Sequence, residues 1–343
     1  MWNPRKHRAR NNTGARSCAL AIVWLTSMLA PLVAHAAEDS GTGTFSFVLE
    51  NDLFYNTDRN YTSGVQIAWV PRVDSPPDWA VRVARQIPWF PQEGRVRHGY
   101  ALGQNMFTPR DITLINPPLE DRPYAGWLYG TVGLGVETGR QLDQLALTLG
   151  VVGPASLAEQ SQKFVHKVRN KNRPSGWDTQ LGNEPGMMLN YQRSWRGYAT
   201  KTLAGLDFDL TPHIGGALGN IYTYANTGLT MRYGKHLPTD YGPLRIQPSL
   251  PGSGFFTPAY KFSWYLFGGF EGRAVARNIF LDGNTFRDSR SVVKKPLVGD
   301  LQWGVVMTWG GVRLSYTHAV RTREFNTQTG SDQFGAFSLS MSF

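Results

Sequence analysis

Hydrophobic and polar residues alternate over many short stretches between residue 44 and the C-terminus. Side chains of a β-strand point to opposite faces in turn, so this alternation predicts strands with one apolar face. Val65, Ile67 and Trp69 share such a face, and Gln66 lies on the opposite one. Stretches of this kind begin near residues 44, 61, 99, 124, 142, 185, 203, 221, 259, 299, 311 and 333. The sequence therefore predicts an all-β fold of about twelve antiparallel strands.

The residues on the two faces favour a membrane barrel over a soluble β-sandwich, which alternates in the same way. Large aromatic residues dominate the apolar faces, whereas the opposite faces carry small polar and charged residues such as Glu271 and Arg273. A wet lumen tolerates such charges, and aromatic residues near the ends of strands are typical of the two membrane interfaces. We therefore expect a closed, antiparallel transmembrane β-barrel.

Residues 1–36 have the organisation of a secretory signal peptide. A basic head precedes an apolar run from Cys18 to Val33, and Ala34-His35-Ala36 forms a small-x-small cleavage pattern. A retained N-terminal anchor is the alternative. We expect a mature barrel domain of residues 37–343, which contains no apolar run of about 18 residues that would span a bilayer as a helix.

Charge and cysteine content narrow the choice of partners. Removal of the five basic residues of the head lowers the formal net charge from +10 to +5, so nucleic acid is not an expected partner. Cys18, the one cysteine of the chain, belongs to the predicted signal peptide, so the mature domain is expected to contain no disulfide.

The last predicted strand ends the chain on an aromatic residue, Phe343. Phe337, Leu339 and Met341 alternate with serines before it. An amphipathic final strand of this kind resembles the signal that the barrel assembly machinery recognises in bacterial outer-membrane proteins, although an ordinary last strand alternates in the same way. With the signal peptide, it predicts the outer membrane of a Gram-negative bacterium.

Long connections divide between the two ends of the predicted barrel. Both chain termini are expected in the periplasm, so connections 108–122 and 153–184 face the cell exterior, and the Pro- and Trp-rich connection 71–98 is periplasmic. Within the second exterior loop, residues 156–168 predict a short helix, with Pro154 before its start and Ser156 as its N-cap.

A first polar cluster is expected at the exterior rim. Pairing of the first two strands brings Asn51 and Asp52 near Thr62, which alternation places on the lumen face with Gln66. Grouped carboxylate and amide oxygens suit a hard cation such as calcium. Turn formation is the alternative role, because Asn and Asp are common turn residues.

A second cluster lies on the predicted loop helix. Gln162 and His166 are four residues apart and share one face, and histidine is the side chain best suited to general-base chemistry near neutral pH. Lys163 and Lys167 belong to a basic stretch that suits the phosphates of lipopolysaccharide, although a generic basic loop has the same composition. The chain has neither a Gly-x-Ser-x-Gly elbow nor a zinc-ligand spacing. A histidine-activated water assisted by a cation is the simplest hydrolytic arrangement that remains.

Several motifs, taken together and in this order, resemble the outer-membrane lipid A 3-O-deacylases, and the resemblance covers essentially the whole mature chain. They are Glu50-Asn51-Asp52, residues 58–64, residues 121–126, residues 150–154, Gln162-Lys163-Phe164-Val165-His166, and the segment from Arg323 to the C-terminus.

The resemblance implies a twelve-stranded barrel that hydrolyses the ester of the 3′-acyloxyacyl group of lipid A with calcium. It implies that His166 activates water, that Asn51 and Asp52 build the cation site, and that Thr62 completes the cluster. Gln162, Arg110, Lys163 and Lys167 are expected to bind substrate.

This chain departs from the family pattern at two positions. Only Arg110 stands in for a basic pair in the loop after strand 3, and Asn172 replaces a glutamate after the histidine. A phospholipase of the same membrane is the alternative enzyme, and a pore or structural barrel is the alternative without catalysis.

Overall fold

A computed structural model describes residues 43–51, 60–71, 76–169, 173–242, 255–256 and 259–343, with side chains left out for 60–62 and 259–261. The predicted signal peptide and Asp52 lie outside the described residues. The strands are β1 Gly43–Asn51, β2 Asn60–Pro71, β3 Arg95–Thr108, β4 Ala125–Thr138, β5 Gln141–Val152, β6 Glu184–Trp195, β7 Ala199–Leu203, β8 Leu206–Gly219, β9 Tyr222–Lys235, β10 Ala259–Asn278, β11 Leu297–Gly310, β12 Val312–Arg321 and β13 Asp332–Ser342.

The strands form one antiparallel sheet that closes on itself. Each strand pairs with its neighbours in chain order, except that β6 pairs with β8 and not with β7, and β1 also pairs with β13. Short β7 continues the position of β6, because both pair with β8. The described strands therefore occupy twelve positions around a closed barrel, as the alternation predicts.

The two faces of the wall differ as a membrane barrel requires. Large apolar side chains on the outer face are exposed, among them Leu102, Phe270 and Trp303, whereas polar side chains such as Gln66 and Asp209 are buried on the inner face. This arrangement excludes the β-sandwich, whose apolar faces are turned inward. In the described part of the chain, none of the helices has the length and hydrophobicity needed to cross a membrane.

The chain termini define the two ends of the barrel. The Gly43 N–H donates to the Phe343 carbonyl oxygen over 3.4 Å. We call this end the terminal end and the opposite one, where β1 ends at Asn51, the loop end. The connections 109–124 and 153–183 lie at the loop end, so it corresponds to the cell exterior.

Side chains fill the lumen. At the loop end the aromatic rings of Phe107 and Phe280 stack with centroids 4.0 Å apart, inside a buried cluster that includes Trp127. Charged side chains of adjacent strands also line the lumen: Asp300 accepts from Arg321 at 2.8 Å and from Arg273 at 2.6 Å. The prediction of a polar lumen is therefore confirmed only where charged side chains line it, because an apolar cluster fills the loop end.

Among the described residues, three α-helices connect the strands: α1 Asp78–Gln86, α2 Ala158–Val168 and α3 Ile279–Asp282. The predicted loop helix is confirmed as α2. The predicted N-cap Ser156 is wrong, because that residue ends a short 3-10 turn and Leu157, at φ 59°, precedes the helix instead. Alternation does not predict α1, which lies in the connection at the terminal end.

Candidate active site

A row of residues crosses the outer face of β1 to β4 at the loop end. Strand pairing aligns Asn51 with Ser63, Ser63 with Met106, and Met106 with Gly126. Residues directly opposite each other in a sheet share a face. The face is the outer one, because Glu50 and Asn105, which are adjacent in sequence to two of these residues, are buried on the inner face.

Helix α2 covers the β4 end of this row. A Cβ on Gly126 would lie 2.2 Å from both the Ser156 Oγ and the Ala158 Cβ, so only glycine allows the chain this close. Gln104, also on the outer face, donates from Nε2 to the Ser156 carbonyl oxygen over 2.6 Å. The loop therefore folds down over the outside of the barrel and does not stand free above its mouth.

Exposure along the strands shows how far this cover extends. On the outer face of β2, Ser63 is 7% exposed and Ile67 is 42% exposed; on β3, Met106 is 5% exposed and Leu102 is 59% exposed. The outer wall is thus covered at the loop end from β2 to β4 and open below. We call the contact of Met106 and Gly126 with the buried side of α2 the wall–helix interface.

The buried side of α2 carries two polar residues. Ala158, Gln162 and His166 are spaced four residues apart and are all buried, so they share the face that lies against the wall. The Trp177 indole Nε1–H donates to the Gln162 Oε1 over 2.7 Å. The Gln162 Nε2 is buried and has no hydrogen-bond partner among the described residues. The amide is therefore held at its oxygen, while its N–H groups are buried without a partner from the described residues.

Packing within the loops holds this arrangement in place. The Tyr124 and Trp177 ring centroids are 4.8 Å apart, and the Tyr124 hydroxyl donates to the Ile112 carbonyl oxygen over 3.1 Å. Burial raises the pKa of Tyr124, so this hydroxyl stays protonated and keeps donating. Gly153, at φ 96°, turns the chain from β5 into the loop.

Cationic side chains surround the helix on its outer sides. Lys163 forms an i,i+4 ion pair with Glu159, and Lys167 is exposed. Arg110 is exposed in the neighbouring loop, where its backbone N–H donates to the Asp121 carboxylate over 2.7 Å. Hydrogen bonds from Thr113 hold the pKa of the Asp111 carboxyl below its usual range, so this group stays anionic near neutral pH.

The structure describes the sequence-predicted cluster of the first hairpin only in part. Asn51 ends β1 on the outer face, the face that α2 covers further along the row. Asp52 lies outside the described residues, and so does the side chain of Thr62. The pairing of β2 with β3 shifts register between Tyr61 and Ser63, so alternation counted from Gly64 does not fix the face of Thr62. The meeting of Asn51, Asp52 and Thr62 with His166 stays a prediction.

Four residues that position α2 were missed as site residues. Gly126, Ser156, Gln104 and Trp177 determine how close the helix lies to the wall and how Gln162 is held. Gly126 carries a signal, because it ends one of the family-like motifs. Trp177 carries none, since its bond to Gln162 joins two parts of a loop without regular alternation.

The candidate metal ligands around Asn51 are oxygen atoms, which fit a hard cation. Among the described residues no cluster of three His, Cys, Asp or Glu side chains forms a metal site. Glu50 is buried on the inner face, opposite to Asn51, so these two side chains belong to different sides of the wall. The candidate ligands that remain for a cation are the amide oxygen of Asn51, neighbouring backbone carbonyls and Asp52.

Comparison with known proteins gives a family match and several structural matches. A model of the family described as outer membrane protein LpxR matches residues 20–343. LpxR from Salmonella typhimurium has a similar structure, with a TM-score of 0.71 and 16% sequence identity over 88% of this chain and 100% of that one. The β domain of the Bordetella autotransporter BrkA gives a TM-score of 0.44 and 10% identity over 89% of this chain and 100% of that one.

A search of curated proteins finds no match. The Salmonella structure shares the closed barrel at low sequence identity, and the family match extends over the whole described barrel. The chain therefore belongs to the LpxR family of outer membrane proteins.

Proposed function

We propose that this outer-membrane barrel is a lipid A deacylase that hydrolyses the ester of the 3′-acyloxyacyl group of lipopolysaccharide. Membership of the LpxR family supports the broader class, a lipid A deacylase-type protein of the outer membrane. The finer assignment, to one ester and one set of residues, depends on the wall–helix interface.

The observation that carries the proposal is the buried polar face of α2. Gln162 is 2% exposed and His166 is 5% exposed, and both face the outer wall. Burial of a polar group is unfavourable unless it is hydrogen-bonded, and the Gln162 Nε2 has no partner among the described residues, so packing alone does not explain this amide. Both residues lie at the loop end of a lipid-facing wall, the end that faces the outer leaflet.

His166 is the base of the proposed reaction. Its imidazole takes a proton from a water molecule as the water oxygen attacks the ester carbonyl carbon. The bond from that carbon to the sugar-side oxygen then breaks, and the proton on the imidazole passes to the departing alkoxide. The products are a free sugar hydroxyl and an acyloxyacyl carboxylic acid, which loses its proton to solvent.

Asn51 and Asp52 are the side chains that would hold calcium at the tip of β1. When bound there, the ion would supply positive charge for the oxyanion that develops on the ester carbonyl. Asn51 lies on the same face as the row that α2 covers, which fits this role. Thr62 would complete the polar cluster from the next strand.

The cations around α2 suit the phosphates of lipid A. Arg110, Lys163 and Lys167 lie on or beside the loop that carries Gln162, outside the apolar wall. Lysine and arginine bind phosphate oxygens through charge-assisted hydrogen bonds, so they would hold the headgroup while the ester reaches the wall–helix interface.

The filled lumen speaks against the alternative of a pore. Phe280 of α3 is fully buried among aromatic side chains, and Arg122 is fully buried beside Glu324. A twelve-stranded barrel has a narrow bore even before side chains fill it. This filling supports a site on the outside of the wall.

The test is the lipid A profile of cells that express the chain. Mass spectrometry is expected to show lipid A that has lost one acyloxyacyl unit when the wild type is expressed with calcium. Phospholipids of the same cells are expected to keep both chains. Unchanged lipid A, with the barrel folded in the outer membrane, would overturn the proposal, and lysophospholipid in its place would identify a phospholipase.

A further inference from the structure

An open groove lies on the outer wall opposite to α2. It occupies about 930 Å³ across β8, β9, β10 and β11 at the loop end. These strands lie half-way around the barrel from β3 and β4, the strands that α2 contacts. The groove is therefore separate from the wall–helix interface.

Small outward side chains create the groove. Strand pairing aligns Thr227, Gly272 and Gly299 in one row and Ala225 with Ala274 in the next, where Leu297 of β11 bounds the groove. The row nearer the terminal end contains Leu229, Phe270 and Leu301 instead. The wall thus steps inward over two rows, between Ile214 on one side and Leu297 on the other, and leaves an apolar depression open to the membrane.

Two cations line the loop-end rim of this depression. Lys295 donates from Nζ to the Asn326 amide oxygen over 3.2 Å and forms no ion pair with a described residue. Arg323 is exposed and forms no ion pair within the described part of the chain. The neighbouring Glu324 faces the lumen, where it accepts from Arg122. Positive charge therefore lies above an apolar groove, with no carboxylate directed at it from the adjacent loop residue.

We infer that this groove binds one molecule of lipid A at a non-catalytic position, with an acyl chain in the depression and a phosphate on Lys295 and Arg323. The apolar floor matches a saturated chain, and the two cations match a phosphate at the level of the headgroups. The loop end faces the outer leaflet, where the acylated, phosphate-bearing lipid is lipopolysaccharide. The inference rests on the outer-membrane location and not on the proposed hydrolysis.

Two glycines of β10 provide a matched test. Gly272 lies in the groove and Gly268 lies two rows nearer the terminal end on the same outer face. A Cβ at either position meets no atom within 4 Å, so leucine fits the folded barrel at both. Gly272→Leu fills the groove, whereas Gly268→Leu adds the same side chain outside it.

Lipid A bound per barrel is counted by native mass spectrometry on the purified protein, with His166→Ala present throughout so that substrate is not consumed. We expect Gly272→Leu to weaken binding of one lipid A at least tenfold and Gly268→Leu to leave it unchanged. Lys295→Ala with Arg323→Ala is expected to weaken the same event, unlike Lys201→Ala with Lys235→Ala at the terminal end.

Other results would overturn the inference. Equal effects of the two leucine variants would remove the groove as the binding position. Phosphatidylglycerol bound as tightly as lipid A would show a general anionic-lipid surface. A dimer that Gly272→Leu dissociates would show that a second barrel fills the groove. Loss of hydrolysis is measured separately, so failure of the proposed function leaves this count interpretable.

Discussion

Two short helices lie against the same two strands, at opposite ends of the barrel. The buried side chains of one are apolar, and the other buries polar side chains as well. Both α1 and α2 contact β3 and β4. At the terminal end, α1 buries Ala80 and Ala84 in an apolar cluster with Val96 and Val136. At the loop end, α2 buries Gln162 and His166 beside one alanine.

This difference distinguishes a helix whose burial is explained by packing from one whose burial is not. Apolar area stabilises a fold by about 25 cal/mol per Å² removed from water, so the buried face of α1 is explained by packing. A buried amide N–H group without a partner lowers stability by about 1–3 kcal/mol, and the Gln162 Nε2 is such a group among the described residues. Under the proposed function, these N–H groups would donate to the bound substrate.

The largest expected effect is loss of the imidazole on α2. His166→Ala should lower the turnover of lipid A by about 10²–10⁴-fold, the range that a general base contributes. Released acyloxyacyl acid, quantified by mass spectrometry with purified barrel, measures it. Gln160→Ala, on the exposed side of the same helix, is the control and should retain wild-type turnover. Similar losses in both variants would mean that α2 acts only as a structural cover.

Removal of the cation should have the next largest effect. Excess chelator is expected to reduce turnover by about 10²-fold, because charge stabilisation of an oxyanion contributes on that order. Added calcium should restore the wild type and leave Asp52→Ala inactive. Full turnover in chelator would remove the metal from the account. Migration of the folded barrel on an unheated gel shows whether chelation unfolds it.

A shift of α2 away from the wall should have an intermediate effect. Gly126→Val places a side chain where Ser156 and Ala158 now lie, and displacement of catalytic groups by about 1 Å can lower a rate by about 10²-fold. Gly130→Val is the matched control, since a Cβ there meets only the Ala101 carbonyl oxygen at 3.9 Å on the same strand. Equal turnover of the two variants would show that the close approach of the helix is unimportant.

The smallest effect on activity is expected from α1. Ala84→Leu overpacks its buried face and should lower the free energy of unfolding by about 1–3 kcal/mol. Turnover per folded barrel should be unchanged, because α1 lies at the opposite end from the wall–helix interface. Thermal unfolding and turnover measured on the same preparation test the contrast. A loss of turnover as large as that of Gly126→Val would break the distinction between the two helices.

The barrel could be predicted from the sequence because its wall separates lipid from lumen. That separation imposes alternation on each strand, and the run from Phe337 to Phe343 shows it clearly enough to place β13. Helix α1 escaped prediction because its buried residues are alanines, which give a weak apolar signal. The aromatic filling of the lumen escaped as well, since Phe280 arrives from a loop helix and not from a strand.

The candidate site was predictable in residue identity and less so in position. Spacing four residues apart correctly places Gln162 and His166 on one helix face, and burial confirms that face. Alternation predicted that the polar cluster faces the lumen. Asn51 lies on the outer face instead, and the register of β2 shifts beside Thr62. A one-residue bulge is invisible to a period-two pattern, and it reverses the face of every residue beyond it.

The position of lipid A itself tests the central claim most directly. A lipid A analogue with an uncleavable amide at the 3′ position and a photoreactive group on that acyl chain is cross-linked to the barrel, and the adducts are mapped by peptide mass spectrometry. The account predicts adducts at the wall–helix interface, on peptides that contain Met106 or Gln162. Adducts on lumen residues such as Tyr129 and Phe280, with the wall–helix interface unlabelled, would contradict it.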